Sequence, residues 1–210
     1  MFGLKVKCGR GSFRLDGDQG QAMLDYLVRG CPAPPPDLVK FASIAHYQEL
    51  TGYRHFIETG TYLGDTLAMA AEIFDKCYSV ELAQGLYQRA RSRFSSKRHV
   101  ELLNGSSADL LRGILAGLTE PAVIWLDAHF SGGNTAGEGS DPLQQELTTL
   151  LKYREMQHII LIDDARGLGI SDSQLSGFIA GMGAGYHASL LHDSVRVVPV
   201  DVPLLGTPVR

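Results

Sequence analysis

Cysteine is scarce in this 210-residue chain: only Cys8, Cys31 and Cys77 occur, an odd count at irregular spacing. That excludes a disulfide framework and a cysteine-built zinc site, and it points to a reducing compartment. No run approaches the roughly 20 apolar residues that a membrane-spanning helix needs. Residues 1–14 lack the apolar centre of a secretion signal. A soluble, cytoplasmic protein with no membrane partner is the expectation. Basic excess is missing too: 19 Lys and Arg face 23 Asp and Glu, for a net charge of −4 and a pI of about 5.9. A general nucleic-acid binder carries a basic face, so no nucleic-acid partner is expected. The one basic run, Arg89, Arg91, Arg93, Lys97 and Arg98, has helical spacing and reads as a solvated face. What is left, 44% hydrophobic and 20% charged residues, is ordinary globular composition. A chain of this length buries roughly 70% of its unfolded surface and needs no covalent or metal staple.

The chain has no internal repeat. Its one composition break is Cys31-Pro32-Ala33-Pro34-Pro35-Pro36. Proline fixes φ and has no amide donor, so this segment is a linker or the lead into a helix. It separates an N-terminal arm, residues 1–36, from a main domain, residues 37–210. The arm is Gly-rich, with a short amphipathic stretch over 19–28. A helix is expected over 37–50, with Leu38, Phe41, Ala42, Ala45 and Leu50 on one face.

From Tyr53 onward, β-rich runs at 55–57, 77–80, 99–103, 122–126 and 158–162 alternate with helical stretches at 65–74, 83–94, 107–118 and 142–155. Such alternation implies an α/β domain with a parallel sheet covered by helices on both faces. The runs at 122–126 and 158–162 are almost wholly apolar, as central parallel strands are. Two further β-like runs, 186–191 and 195–200, are separated only by His192-Asp193-Ser194, which makes an antiparallel hairpin. The expected fold is therefore a Rossmann-like, doubly wound, mostly parallel seven-stranded sheet ending in that hairpin.

Open α/β sheets bind ligands beyond the carboxyl ends of their strands. At those ends stand Glu58, Glu81, Gly105-Ser106-Ser107, Asp127 and Asp163-Asp164, so four of the five carry an acid. The first end opens the turn Glu58-x-Gly60-Thr61-Tyr62-x-Gly64-x-Thr66. Its glycines allow a tight turn and a ligand close to the backbone, and the next helix offers amide donors. The turn is not the dinucleotide fingerprint G-x-G-x-x-G. Its leading acid opposes a pyrophosphate and suits a cationic, phosphate-free ligand such as S-adenosylmethionine. The alternative is a turn with glycines for geometry alone. Glu81 suits a pair of ribose hydroxyls or a helix dipole. Gly105, Ser106 and Ser107 suit the adenine edge, with Ser107 as helix N-cap the structural alternative.

Asp127, Asp163 and Asp164 fall on what should be neighbouring strand ends, where three carboxylates repel unless a cation holds them. Oxygen ligands without cysteine suit Mg²⁺, or Mn²⁺ or Ca²⁺. The alternative is helix capping or pairing with Arg166. His129 is a candidate general base, metal ligand or structural histidine. The Gly-rich polar segment 131–141 reads as a substrate loop over the pocket.

Taken together, these residues resemble the metal-dependent small-molecule O-methyltransferases, the catechol and caffeoyl-coenzyme A enzymes among them. The turn from Glu58 to Thr66 looks like their first motif, 105–110 like their adenine loop, and Leu126-Asp127 with Ile162-Asp163-Asp164 like their two metal segments. The Asp-Asp form is closer to the macrocin-type sugar enzymes. A parallel sheet ending in an antiparallel hairpin is also what class I methyltransferases have. The resemblance spans about residues 53–168. It implies cofactor contacts from Glu58, Gly60, Thr61, Tyr62, Gly64, Thr66, Glu81, Gly105, Ser106, Ser107 and Asp127. It further implies Mg²⁺ on Asp127, Asp163 and Asp164, catalytic roles for Asp127 and His129, and a small hydroxylated acceptor such as a sugar or catechol. One departure stands out: the catechol enzymes carry a base Lys three residues after the first metal Asp, and Phe130 stands there. Two alternatives remain open: a nucleotide-dependent oxidoreductase or sugar-modifying enzyme on a similar sheet, and a non-catalytic relative that binds S-adenosylmethionine. The N-terminal arm is available to cover the pocket or a neighbouring subunit, which allows a homo-oligomer.

Overall fold

The computed structural model describes residues 4–8, 11–15, 17–127, 142–168 and 171–209, the first two stretches and 207–209 as backbone only. The main domain follows the expected alternation. Helix α2 (Asp37–Thr51) enters after Pro36 and stops at Gly52, whose left-handed φ of 70° lets its N–H close on the Gln48 carbonyl. Then follow β3 (His55–Thr59), α3 (Asp65–Ala70), β4 (Lys76–Glu81), α4 (Gln84–Arg93), β5 (Val100–Asn104), α5 (Ser107–Ala116), β6 (Ala122–Leu126), α6 (Leu143–Lys152), β7 (Ile159–Ile162), α7 (Asp172–Met182), β8 (Tyr186–Leu191), β9 (Ser194–Pro199) and β10 (Thr207–Val209). The arm holds an antiparallel hairpin, β1 (Leu4–Cys8) with β2 (Gly11–Leu15), and helix α1 (Gly17–Val28).

The large sheet has the order β10-β8-β9-β7-β6-β3-β4-β5. Strands β3 to β7 are mutually parallel where they pair, and β9 joins β7 antiparallel, as does β8 with β9. The expected seven strands are present. An eighth, β10, pairs antiparallel with the outer side of β8. The chain reverses its direction of winding between β3 and β6, which makes the crevice beyond these two strands the switch point. In register, Thr59 faces Val80 and Leu126, Glu81 faces Asn104, and Leu126 faces Ile162. The carboxyl ends are thus level, and the residues that follow them share one edge.

Side chains alternate between two cores. Ile57, Val80, Ile124, Leu126, Ile160 and Ile162 pack with α5, α6 and α7. Phe56, Cys77, Val123, Trp125, Ile159 and Leu161 pack with α2, α3 and the end of α4. Each fully buried aliphatic or aromatic side chain contributes about 1.5–3 kcal/mol, so the near-continuous apolar strands β6 and β7 fix the sheet centre. The face of α2 differs from the periodicity reading. Val39, Phe41, Ile44, Ala45, Tyr47 and Gln48 are buried, while Ala42 and Leu50 are exposed. The reason is that α2 lies on the apolar face of β6 and Trp125, which selects the stripe of Phe41, Ile44 and Ala45. Helix α3 ends four residues earlier than the helix expected over 65–74, and a turn reaches Phe74.

The basic run lies at the solvent as expected: Arg93 pairs with Asp65 at 2.7 Å and Lys97 with Glu72 at 2.6 Å. No helix among the described residues is long and apolar enough to cross a membrane.

Candidate active site

The turn after β3 is built by backbone hydrogen bonds that hold it against β4. Gly60 (φ 84°) and Thr61 donate their N–H groups to the Val80 carbonyl at 2.9 and 3.2 Å, and Gly64 donates to Thr61 at 2.8 Å. Gly64 caps α3 at φ 79°, and a Cβ there would lie 2.9 Å from the Phe94 ring. Tyr62 also has a positive φ, 48°. This strained turn presents Tyr62, Leu63 and, from the end of β4, Leu82 to solvent, an apolar rim beside polar groups. Thr66 is half-buried in the first turn of α3.

Glu58 is buried, and its carboxylate accepts the Ser79 hydroxyl at 2.6 Å. Ser79 is its register partner on β4, and the Thr61 hydroxyl lies 2.6 Å from Ser79 in turn. Burial, reinforced by the nearby Asp127 and Glu81 carboxylates, pushes the Glu58 carboxyl up to about 8 against the partial relief of the Ser79 bond. Glu81 is pinned differently. One oxygen accepts the N–H of Tyr62 and the other that of Ala83, both at 2.8 Å. These bonds fix the carboxylate's plane and leave its remaining lone pairs for a ligand. Gly105 (φ 149°) follows β5 with its N–H on the Glu81 carbonyl at 3.0 Å. Ser106, not Ser107, is the N-cap of α5, and it makes no side-chain capping bond. Ser107 is buried as the first helical residue.

Across the switch point, Asp127 donates its N–H to the Thr59 carbonyl at 3.1 Å, and Asp163 does the same to Leu126 at 3.0 Å. Asp164 adopts φ 49°, a left-handed conformation that Asp tolerates, and this turns the chain sharply out of β7. One carboxylate oxygen from each of Asp127, Asp163 and Asp164 falls within 4.8 Å of the others. The structure thus brings the three acids together. It also supplies a group the sequence reading missed: the Lys40 ammonium, from α2, donates to Asp163 and lies 3.9 Å from Asp164. Burial raises the Asp127 and Asp163 carboxyls above the ordinary carboxylate range, and Lys40 draws them back down. Burial in turn disfavours the Lys40 charge, but the attraction of Asp163, Asp127 and Asp164 prevails and raises its pKa. A signal for Lys40 was present, since a lone cation sits one helical turn before Ile44 on the stripe that α2 buries.

Number and spacing of the carboxylates fit a hard divalent ion, but the ammonium alters that fit. An ion held on the same Asp163 oxygen would stand within a few ångströms of the Lys40 ammonium, and two cations so close in a shielded site would repel by several kcal/mol. The alternative partner foreseen for the acids is also present, as Arg166 lies 3.3 Å from Asp164. Arg166 additionally pairs with Asp193 in the β8–β9 turn. Beside this pair lies a cavity of about 410 Å³. Its walls include Tyr26 and Cys31 of the arm, Ala165 and Arg166 after β7, and His192 and Asp193. The Tyr26 hydroxyl lies 2.8 Å from His192 Nδ1, so the arm closes one side of this space. His129 and the segment 131–141 lie outside the described residues.

No protein-family model matches the chain, and no curated protein sequence matches it. Solved structures do. An O-methyltransferase from Bacillus cereus in complex with SAH is 15% identical, with a TM-score of 0.54 over 88% of this chain and 91% of that one. An SAH-bound methyltransferase from Podospora anserina is 17% identical, with a TM-score of 0.57 over 91% and 89%. The O-methyltransferase TomG from Streptomyces achromogenes, in complex with SAM, is 14% identical, with a TM-score of 0.54 over 88% and 90%. At these identities the likeness concerns architecture, and it establishes that the chain has the Rossmann-like fold of the class I methyltransferases.

Proposed function

We propose that the protein is an S-adenosylmethionine-dependent methyltransferase that methylates a hydroxyl of a small acceptor. The observation that carries this reading is the alignment, along one sheet edge at the switch point, of a phosphate-averse turn with an acid cluster beside an arm-covered cavity. When bound, the cofactor supplies an electrophilic methyl on a sulfonium. Glu58 takes its ammonium end, since a buried carboxylate at the base of this turn, with no cation partner among the described residues, gains most from a positive ligand. The backbone-pinned Glu81 takes the ribose hydroxyls. Gly60, Thr61, Tyr62, Gly64 and Thr66 line the methionine side, and Gly105, Ser106 and Ser107 the adenine side. The buried Glu58 at this turn disfavours the nucleotide-dependent oxidoreductase reading, because a pyrophosphate would lie against an acid.

On the acceptor side we assign the cavity to the substrate. Its volume suits a small molecule, and Arg166, Asp193, His192 and Tyr26 offer polar contacts for a hydroxylated one. The arm, residues 1–36, is then a cover for this chamber attached to a methyltransferase domain over 37–210. The acceptor oxygen forms its bond to the methyl carbon as the carbon–sulfur bond breaks, and its proton passes to a base beside Asp127; His129 is the sequence candidate. Most of the acceleration comes from holding the two reactants in line. A divalent ion held by Asp127, Asp163 and Asp164 and lowering the pKa of the hydroxyl is the second reading, favoured by the convergence of the three carboxylates. The free thiols of Cys31 and Cys77 agree with a cytoplasmic setting.

The test is methyl transfer from labelled S-adenosylmethionine onto a panel of sugars, phenols and nucleotide sugars, with Mg²⁺ and with EDTA. Label in a hydroxylated acceptor is the expected result. Turnover of NAD in place of the labelled cofactor would overturn it.

A further inference from the structure

The acid cluster already contains a cation. Lys40 reaches it from α2, donates to Asp163 and lies 3.9 Å from Asp164. Its side chain is 14% exposed and the Asp163 side chain is fully buried, so this contact is well shielded from water. An ammonium has three donors and a compact charge. It contacts Asp163 and Asp164 of the three converging carboxylates, without the coordination shell a divalent ion needs.

Lys40 is also held in place. Phe41, Ile44 and Ala45 fix α2 on the sheet with no exposed surface. One turn after Lys40, the Ser43 hydroxyl accepts a hydrogen bond of 2.8 Å from Arg196. Arg196 is itself buried on β9 and donates a second bond to the Ser194 carbonyl at 3.1 Å. The helix therefore cannot slide to withdraw the ammonium without breaking a buried guanidinium bond. In the sequence, Phe130 stands where the resembling enzymes carry a lysine after the first acid. The cation here comes from a different element.

We propose that Lys40 is the resident counter-cation of Asp127, Asp163 and Asp164, taking the place of a divalent ion, so that the acceptor side of this site works without metal. This rests on the methyltransferase reading above. Lys40 acts as a positioning residue: it neutralises part of the cluster and fixes the carboxylates that meet the acceptor.

The test measures Mn²⁺ binding by electron paramagnetic resonance and S-adenosylhomocysteine binding by calorimetry, on the wild type, Lys40→Met and Lys40→Arg. In the wild type, no Mn²⁺ binds at the cluster, and methyl transfer is the same in EDTA and in Mg²⁺. Lys40→Met gains Mn²⁺ affinity by at least about 100-fold, since a charge within a few ångströms of the ion has gone. Its methyl transfer becomes dependent on Mg²⁺. Lys40→Arg keeps the cation and gains neither property. A lysine that merely supported the fold would not convert the enzyme to metal dependence. Micromolar Mn²⁺ binding by the wild type that Asp163→Asn abolishes would overturn the proposal, and needs no Lys40 variant to fold. So would loss of wild-type activity in EDTA with recovery in Mg²⁺. Failure of the wild type to bind S-adenosylhomocysteine would instead sink the methyltransferase reading, whatever the metal result.

Discussion

The proposed pairing of Glu58 with the cofactor ammonium would make binding a proton-linked event. Its carboxyl is buried, raised to about 8 by that burial, and bonded to Ser79. In the free protein at pH 7, about 0.9 of a proton therefore sits on it. A ligand ammonium pairs with the carboxylate, so binding expels that proton. The apparent affinity is then about 10-fold below its high-pH plateau at pH 7 and about 100-fold below at pH 6, at 1.36 kcal/mol per pH unit. Calorimetry with S-adenosylhomocysteine in two buffers of different ionisation enthalpy reads the released proton directly. The variant Glu58→Gln binds more weakly and releases about one proton fewer. Stability of the ligand-free protein carries the same signature with a fixed sign. The folded pKa exceeds the unfolded one, so the contribution of Glu58 is full below about pH 4.5 and is lost as pH rises through about 8. Asp127 and Asp163 are raised as well, so Glu58→Gln flattens this fall without abolishing it. Affinity independent of pH from about 6 to 9, with no proton released, would refute the placement of Glu58 against the ammonium.

Three further outcomes follow from single residues. Glu81→Ala removes a carboxylate fixed by two backbone N–H groups at 2.8 Å; S-adenosylhomocysteine affinity should fall by about 10- to 100-fold, and calorimetry showing less than a twofold change would contradict the ribose role. Gly64→Ala places a Cβ 2.9 Å from Phe94 at φ 79°; the left-handed penalty alone is about 1–2 kcal/mol, so the denaturation midpoint should drop and cofactor affinity with it, whereas a neutral result would show that the turn is not held as described. Arg196→Met strips its guanidinium bonds from the Ser194 and Leu191 carbonyls and the Ser43 hydroxyl; losing these charge-assisted bonds costs about 2–4 kcal/mol in urea unfolding, and a loss under about 0.5 kcal/mol would show that Arg196 does not brace α2.

The sheet was largely legible because β6 and β7 are apolar throughout and the acids fall where apolar runs end. Strand alternation and glycine turns are local signals, and the level register that aligns Glu81, Asp127 and Asp163 with the turn just after Glu58 follows once parallel pairing is accepted. Features set by tertiary partners were not legible. The hairpin β1–β2 is short, its Gly-X connection lying within a Gly-rich arm that reads as irregular, and β10 is a three-residue strand that pairs with β8. Helix α2 buries Val39 and Ile44 in place of Ala42 and Leu50 because Trp125 and β6 choose its face. Ser79 was missed because a hydroxyl inside a strand gives no sign that it will face a buried acid. Lys40 was missed because a cation beside an apolar stripe reads as solvated until the strand ends that receive it are placed in space.

Cofactor identity is tested most directly by one calorimetric titration of the purified protein with S-adenosylhomocysteine, run beside an identical titration with NAD. Saturable binding of the first, weakened by Glu58→Gln and by Glu81→Ala, and no binding of the second is the predicted result. Binding of NAD with no heat from S-adenosylhomocysteine would contradict it and return the sheet to the nucleotide-dependent enzymes.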